Sequence, residues 1–387
     1  MNVSEFLPPC RALGVQWHTF GALFLTQRVI LAGGGHAHLA VLADWARQPL
    51  ADTTRVLVTS SRHSVYSGMV PGWLAGIYDR KQLLIDLAPL AERAGAELVI
   101  AEVTGVDPVR QSLQLSTGVE MGFDLLSLAI GGEIESVCFS SLGKDVLPIR
   151  PMDEFIHRWQ ELRQSGLRLH VGGIGGGAAG VELILGVDAA LRTAGRRGKV
   201  ALIAPADGFL AGHATKVRNL ALAELARREI EVHFASAEAT GDALVLSNGE
   251  HLSFDVVIVA TGSRAPGWIK ASGLACSDDG FVSVGAEMRS VSHPAIFAAG
   301  DIIERVDRKL ARSGVHAVKA GPVLAANLRA VVCGGKLRQY QPSGRTLYLL
   351  ATGDRRAILS WGGFATVGRL AWWLKDQIDR RFVRRYS

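Results

Sequence analysis

Two glycine-rich turns, Gly33-Gly34-Gly35-His36-Ala37-His38 and Gly175-Gly176-Gly177-Ala178-Ala179-Gly180, lie about 140 residues apart, and each is preceded by a short apolar run. The runs, Arg28-Val29-Ile30-Leu31-Ala32 and Leu167-Arg168-Leu169-His170-Val171-Gly172-Gly173-Ile174, read as buried strands that deliver their glycines to a helix start. There, free backbone N–H groups and the helix dipole hold a pyrophosphate. One such turn is weak evidence, but two in the same setting predict two dinucleotide sites on one chain. The frame repeats downstream. Phe123-Asp124-Leu125-Leu126-Ser127-Leu128-Ala129-Ile130-Gly131 and Phe254-Asp255-Val256-Val257-Ile258-Val259-Ala260-Thr261-Gly262 share an aromatic-Asp start, a buried strand and an Ala-x-Gly end. Gly131 and Gly262 stand 98 and 87 residues beyond Gly33 and Gly175. A repeat of that length is a duplicated nucleotide-binding fold, not a solenoid unit, so an α/β protein with two Rossmann-like, doubly wound domains is expected.

These segments resemble the pyridine nucleotide-disulfide oxidoreductases, flavoproteins with two dinucleotide sites. Ser290-Val291-Ser292-His293-Pro294-Ala295-Ile296-Phe297-Ala298-Ala299-Gly300-Asp301 is similar to that family's second FAD motif, whose carboxylate accepts a hydrogen bond from the ribityl chain. The resemblance covers roughly residues 28–335 and implies a glutathione-reductase-like architecture. In that order, an extension at 1–26 precedes an FAD-binding domain at 27–145 and 281–335. An NAD(P)H-binding domain is inserted at 146–280, and a C-terminal region with an amphipathic helix follows at 336–387. Proline and glycine cluster at both insertion points. FAD is the implied cofactor and NAD(P)H the implied co-substrate, hydride passing from nicotinamide C4 to flavin N5. The FAD residues implied are Gly33, Gly34, Gly35, His36 and Ala37, with Gly131, Gly300 and Asp301; for the nicotinamide nucleotide they are Gly175, Gly177, Ala178, Gly180 and Gly262.

Three features depart from the pattern. His38 occupies the third glycine position of the first turn, so either the helix stands farther from the strand or the imidazole serves in packing. The acid expected after the second strand of each unit is absent. In the first unit the hydroxyls of Thr59 or Ser60 can substitute; in the second, Ala204-Pro205 selects neither NADH nor NADPH. The four cysteines, Cys10, Cys138, Cys276 and Cys333, form no CxxC or metal spacing, which disfavours a metal site and suits a reducing, cytoplasmic compartment. The disulfide reductases of the family carry a redox-active cysteine pair beside the flavin, but the stretch that resembles that region, Tyr66-Ser67-Gly68-Met69-Val70-Pro71-Gly72-Trp73-Leu74-Ala75-Gly76, contains no cysteine, so dithiol chemistry is disfavoured.

The chain's net charge of +6 comes without a basic stripe interleaved with aromatics before the tail, which argues against nucleic acid and for anionic cofactors or an anionic surface. No apolar stretch approaches 18 residues, and the first 26 residues lack the basic start of a signal peptide. In the tail, Leu370, Leu374, Ile378, Phe382 and Tyr386 recur every fourth residue beside Trp372, Trp373 and six basic residues. That stripe fits a helix lying on an anionic membrane, peripheral on the inner face of the cell membrane, and equally a helix closing onto the protein's own core or a partner.

Within the family, the chain resembles type II NADH dehydrogenases, which pass electrons from NADH to quinone. The turn Gly33–His38, Tyr66–Gly72, Lys319-Ala320-Gly321-Pro322 and Lys375–Phe382 also resemble the flavoprotein module found fused to selenide, water dikinase. A quinone or other small acceptor is thereby implied, although Gly314–Gly321 lacks the glutamines of quinone-reducing relatives. Lys319 is expected to set a cation near the flavin N1–C2=O edge, or else to be a solvated lysine. Glu182 is expected near the nicotinamide and flavin, or else as a first-turn acid favoured by the helix dipole. Two alternatives stay open: a sulfide:quinone oxidoreductase using Cys138 and Cys333, and a flavin-binding regulatory partner of selenophosphate synthesis with little turnover.

Overall fold

The computed structural model describes residues 26–143, 146–165, 169–195 and 198–387; the N-terminal extension with Cys10, and Leu167 and Arg168 before the second turn, lie outside them. The first unit runs through β1 (Gln27–Ala32), α1 (His36–Arg47), β2 (Thr53–Thr59), α2 (Val70–Leu74), β3 (Ala96–Ile100) and β4 (Leu125–Leu128). The second contains β5 (Val146–Pro148), β6 (Val171–Ile174), α3 (Ala178–Thr193), β7 (Val200–Ile203), β8 (Glu231–His233) and β9 (Val256–Val259). The chain then gives β10 (Ile296–Ala298) and the long helix α4 (Gly314–Val332). It ends with a three-stranded antiparallel sheet, β11 (Leu347–Ala351), β12 (Ala357–Trp361) and β13 (Phe364–Gly368), and the helix α5 (Arg369–Tyr386).

Each unit builds a five-stranded sheet, in the orders β10-β4-β1-β2-β3 and β5-β9-β6-β7-β8, with every pairing parallel. β4, β6, β7 and β9 are buried throughout, as expected of apolar strands covered by helices on both faces. The duplication reaches the hydrogen bonds. The carboxylates of Asp124 and Asp255 each accept the N–H opening the partner strand, from Arg28 and His170, both at 2.6 Å. This explains why an aspartate begins both nine-residue frames. A three-stranded antiparallel meander interrupts each unit, at Val103–Gly122 and at Ala237–Leu252.

The chain passes between the units at Glu133–Ile134 and Ser263–Arg264, and these two crossings pair antiparallel. Beyond the second, Gly267–Ala271 packs on the strand Val103–Asp107 of the first unit. α2 lies against α3, and Gly186 makes that approach possible: a Cβ there would stand 2.8 Å from the Pro71 carbonyl oxygen.

The tail helix departs from the expected stripe because 3.6 residues per turn carries an every-fourth-residue row around the helix. Its buried face is Ala371, Trp372, Lys375, Asp379, Phe382, Val383 and Tyr386, closing onto the core. Leu370, Trp373 and Ile378 face outward at 84%, 60% and 43% exposure. No helix among the described residues is long and apolar enough to cross a membrane.

Candidate functional site

Both turns use the same backbone device. Gly33 and Gly175 adopt φ of +98° and +125°, and a Cβ on either would stand 2.5 or 2.3 Å from the carbonyl oxygen of Ala129 or Ala260. Only glycine fits. The helices that follow begin alike, with N-caps Gly35 (φ −67°, ψ 159°) and Gly177 (φ −67°, ψ 171°) and no side-chain cap on either. First-turn N–H groups are thus left for a ligand. At the second glycine the turns differ: a Cβ on Gly35 would strike the Ala129 carbonyl at 2.3 Å, whereas one on Gly177 meets nothing within 4 Å. The second turn opens to solvent. Ala37 is buried against the first turn, and Ala178 begins α3 half-buried.

The third position separates the units further. Gly180 lets α3 come so close that a Cβ would stand 2.0 Å from the Gly175 carbonyl oxygen. His38, fully buried, solves the same crossing with its ring: Nδ1 lies 2.6 Å from the Gly33 carbonyl and Nε2 2.8 Å from the Ser127 hydroxyl. A carbonyl only accepts, so Nδ1–H donates and Nε2 accepts from Ser127. Burial, opposed by the Gly33 bond, lowers the His38 pKa to about 4, keeping the ring neutral. The imidazole serves in packing.

Around the first turn, three polar atoms are buried without a partner: His36 Nε2, Asp301 Oδ1 and Ser313 Oγ. Leaving such groups unpaired costs about 1–3 kcal/mol each, so they are a fit for a cofactor rich in hydroxyls and phosphate oxygens. His36 is held near a pKa of about 4 by burial, with Asp301 pulling it up and Arg150 pushing it down. The other carboxylate oxygen of Asp301 pairs with Arg150, which also donates to the Gly132 carbonyl at 3.3 Å. Arg150 therefore ties the loop after β4 to Gly300-Asp301. Nothing in the sequence marked it beyond its place beside a boundary proline.

Gly131 and Gly300 take φ of +75° and +81° in these loops, while Gly262 has open space at its Cα. Thr59 is buried, donating to the Ser61 carbonyl at 3.2 Å, and Ser60 is exposed at the strand end. In the second unit, Ala204 is buried in the place of the missing acid. Lys319 is exposed on α4, whose buried face presents Ala317, Ala320 and Gly321. Gly321 must face α1, where a Cβ would stand 2.8 Å from Ala40 Cβ, and this turns Lys319 outward.

A buried cation in this region is Lys375, from the tail helix. Its ammonium bonds the Gly68 carbonyl (2.8 Å) and the Asp379 carboxylate (3.0 Å), whose other oxygen accepts the Tyr66 hydroxyl (3.0 Å). Burial acts to lower the ammonium's pKa, but Asp379 and Glu182 outweigh it and raise it. Glu182 sits in the second turn of α3, not the first, and accepts the Ala351 N–H at 2.7 Å. Burial raises its pKa to about 7, against Lys375 and the Ala351 bond, with Asp379 adding to the rise. Tyr66 stacks on Phe382 (4.4 Å), and His36 stands edge-on to both rings. This cluster draws on the first turn, the segment Tyr66–Gly76, α3, β11 and α5. Residues over 300 positions apart meet in it, so no local motif announces it.

Among the described residues no metal-binding cluster occurs; Cys138 and Cys333 are exposed and Cys276 is partly buried, all free thiols. Cys333 follows α4, about 28 Å from that helix's start at 1.5 Å per residue over 19 residues.

The sequence pattern of the pyridine nucleotide-disulphide oxidoreductases matches residues 27–321. The chain is 25% identical over 295 residues to an NADH dehydrogenase-like protein of Mycobacterium tuberculosis, covering 71% of this chain and 72% of that one. It is 24% identical over 365 residues to ferroptosis suppressor protein 1 of Xenopus tropicalis, covering 87% and 89%. Among solved structures, the sulfide:quinone oxidoreductase of Aquifex aeolicus superposes with a TM-score of 0.77 at 16% identity, over 93% and 91% of the two chains. A ferredoxin reductase from Rhodopseudomonas palustris superposes at 0.71 and 23% identity, over 86% and 81%.

Proposed function

Because the chain belongs to the pyridine nucleotide-disulphide oxidoreductase family and is an FAD-dependent NAD(P)H oxidoreductase, we infer that it passes electrons from NAD(P)H to a quinone or another small acceptor, with Glu182 carrying a proton. Bound FAD supplies the two-electron carrier between nucleotide and acceptor. In this reading Gly33–Gly35 and the first turn of α1 hold its pyrophosphate, and Asp301 and His36 meet its hydroxyls. Gly175, Gly177 and the start of α3 hold the nicotinamide nucleotide. The domain division at 146 and 281 expected from the sequence belongs to the same reading.

The observation that carries the proposal is the Glu182–Lys375–Asp379–Tyr66 cluster. A half-buried carboxyl whose pKa is pushed up to about 7, set where both units and the tail meet, is poised to give a proton to a reduced acceptor and recover it. Lys375 supports the anion left behind.

Anaerobic mixing with NADH or NADPH tests this. Bleaching of the flavin absorbance, followed by recovery when a water-soluble benzoquinone is added, is the expected result. Since Ala204 offers neither an acid nor an arginine to the ribose, the two nucleotides should react within about tenfold of each other. A flavin that neither nucleotide bleaches would overturn the proposal in favour of a flavin-binding partner with little turnover.

The exposed face of α5 supports a peripheral membrane location. Leu370, Trp373 and Ile378 stand beside Arg381, Arg384 and Arg385, and Trp361 and Phe364 are exposed at the neighbouring β12–β13 turn. Apolar area and basic charge, the latter about 1 kcal/mol per residue near anionic lipid, favour such a surface. Cosedimentation with anionic vesicles that salt weakens, and that Trp373→Ser with Leu370→Ser abolishes, is the expected outcome.

A further inference from the structure

On the reading that Glu182 carries the proton of the acceptor half-reaction, we propose that Asp379 is a positioning residue of that site: from the tail helix it holds the Lys375 ammonium and the Tyr66 hydroxyl in place around Glu182. The geometry is specific. One Asp379 oxygen takes the Lys375 ammonium at 3.0 Å, one helical turn away, and the other takes Tyr66 from the segment Tyr66–Gly76 at 3.0 Å. Lys375 spends a second N–H on the Gly68 carbonyl, which leaves one donor without a partner.

The tail helix does not need this charge in order to dock. Trp372 stacks on Tyr78, the Tyr78 hydroxyl donates to Asp376 at 2.6 Å, and Phe382 stacks on Tyr66, all without Asp379. A buried ion pair is also weak support for a fold, since apolar residues of similar volume commonly replace it at no loss. What Asp379 supplies and an apolar residue cannot is a negative charge that keeps Lys375 from pairing directly with Glu182. No Lys375–Glu182 ion pair within 4.0 Å is present, although each acts on the other through space.

The groups facing this centre are few. Lys375, Asp376, Asp379 and Arg380 come from α5, Tyr66 and Tyr78 from the segment Tyr66–Tyr78, Glu182 from α3, and His36, neutral near pH 7, from the first turn. Both tyrosines are raised above their usual range by burial and take no part near neutrality. Asp376 is held by Arg380 at 2.8 Å and is common to every variant below. Neutralising Asp379 therefore removes one repulsion from the Glu182 anion and frees Lys375 to approach it, so Glu182 should lose its proton at lower pH.

The test is stopped-flow reoxidation of the NADH-reduced, FAD-loaded enzyme by a water-soluble benzoquinone between pH 5 and 9. The wild type should show a midpoint near 7 that disappears in Glu182→Gln. D379N, which keeps the shape and still accepts the Tyr66 hydroxyl, should move that midpoint down by about one unit, and Lys375→Met should move it up. Opposite shifts from two partners of one ion pair are the signature of charge; a merely loosened site would slow both variants without moving either midpoint. Should D379N lose its FAD, Asp379→Ser takes its place with the same expected direction. A midpoint present in the wild type, absent in Glu182→Gln and unmoved by neutralising Asp379 overturns this inference alone. A wild-type midpoint that survives Glu182→Gln overturns the proton role of Glu182 and this inference with it.

Discussion

The two nucleotide units share a backbone and differ in what they bury. Gly33 and Gly175 meet the same carbonyl of the same frame, and Gly35 and Gly177 cap their helices with nearly the same angles. Yet the first unit closes its turn with two neutral imidazoles, His36 and His38, while the second leaves Gly177 bare and packs Gly180 against its own turn. Duplication preserves the hydrogen-bond frame because each frame must satisfy its own backbone. The groups that face the ligand are free to diverge.

The most damaging way to probe the shared part is Gly33→Ala or Gly175→Ala. Either puts a Cβ inside a carbonyl contact at a positive φ, and either should cost about 4 kcal/mol or prevent folding of its unit. Chemical denaturation followed by flavin release checks the first, and limited proteolysis of the second unit checks the other; equal tolerance at both sites would break the comparison.

The unshared part gives a cleaner split. Gly177→Val adds its side chain to open space, so melting and FAD content should hold while NADH affinity falls about 100-fold, the equivalent of about 3 kcal/mol. Gly35→Val should instead disturb the fold. Calorimetry and anaerobic nucleotide titration distinguish the two, and loss of FAD from the Gly177 variant would mean the sites are assigned the wrong way round.

Asp301→Ala should speed FAD loss on dilution about 30-fold, since a hydrogen bond to an ionised group contributes about 1.5–3 kcal/mol. Full flavin occupancy after dilution would remove Asp301 from the cofactor site.

His38→Gly gives the smallest effect and the most diagnostic pH dependence. It leaves the Ser127 hydroxyl buried and unpaired, costing about 1–2 kcal/mol near neutrality. His38 binds its proton more weakly folded (about 4) than unfolded (6.5), so it contributes stability above pH 6.5 that is lost as pH falls towards 4. The variant should flatten part of this acid loss in thermal melts from pH 7 to 4. An unchanged slope would mean that His38 is not a buried neutral ring.

The frame was legible in the sequence because it is local: an apolar strand, a turn that only glycine can make, and an aspartate whose bond to the partner strand recurs as part of the repeat. The fate of the tail was half legible. Its amphipathic character showed, but spacing by fours cannot say which side turns inward, and nothing in that spacing marks Lys375 and Asp379 as buried. Lys319 was legible only by its position in a motif; the close crossing of Gly321 on α1, which sets Lys319 on the exposed side of α4, is a tertiary fact. Arg150, Lys375 and Asp379 acquire their partners over 151, 307 and 313 positions, through contacts that no periodicity encodes.

The edge strands bear on how the chain comes off the ribosome. The second sheet has all five strands once Val259 is made, because its edge, β5, precedes the rest. The first sheet has four strands by Leu128 and receives its edge, β10, only at Ile296–Ala298. At about 5–20 residues per second, that interval of 170 residues keeps one flank of β4 unpaired for roughly 10–35 s. The unit nearer the N-terminus is thus the later one to close, and its exposed strand edge is a natural point for chaperone capture during synthesis.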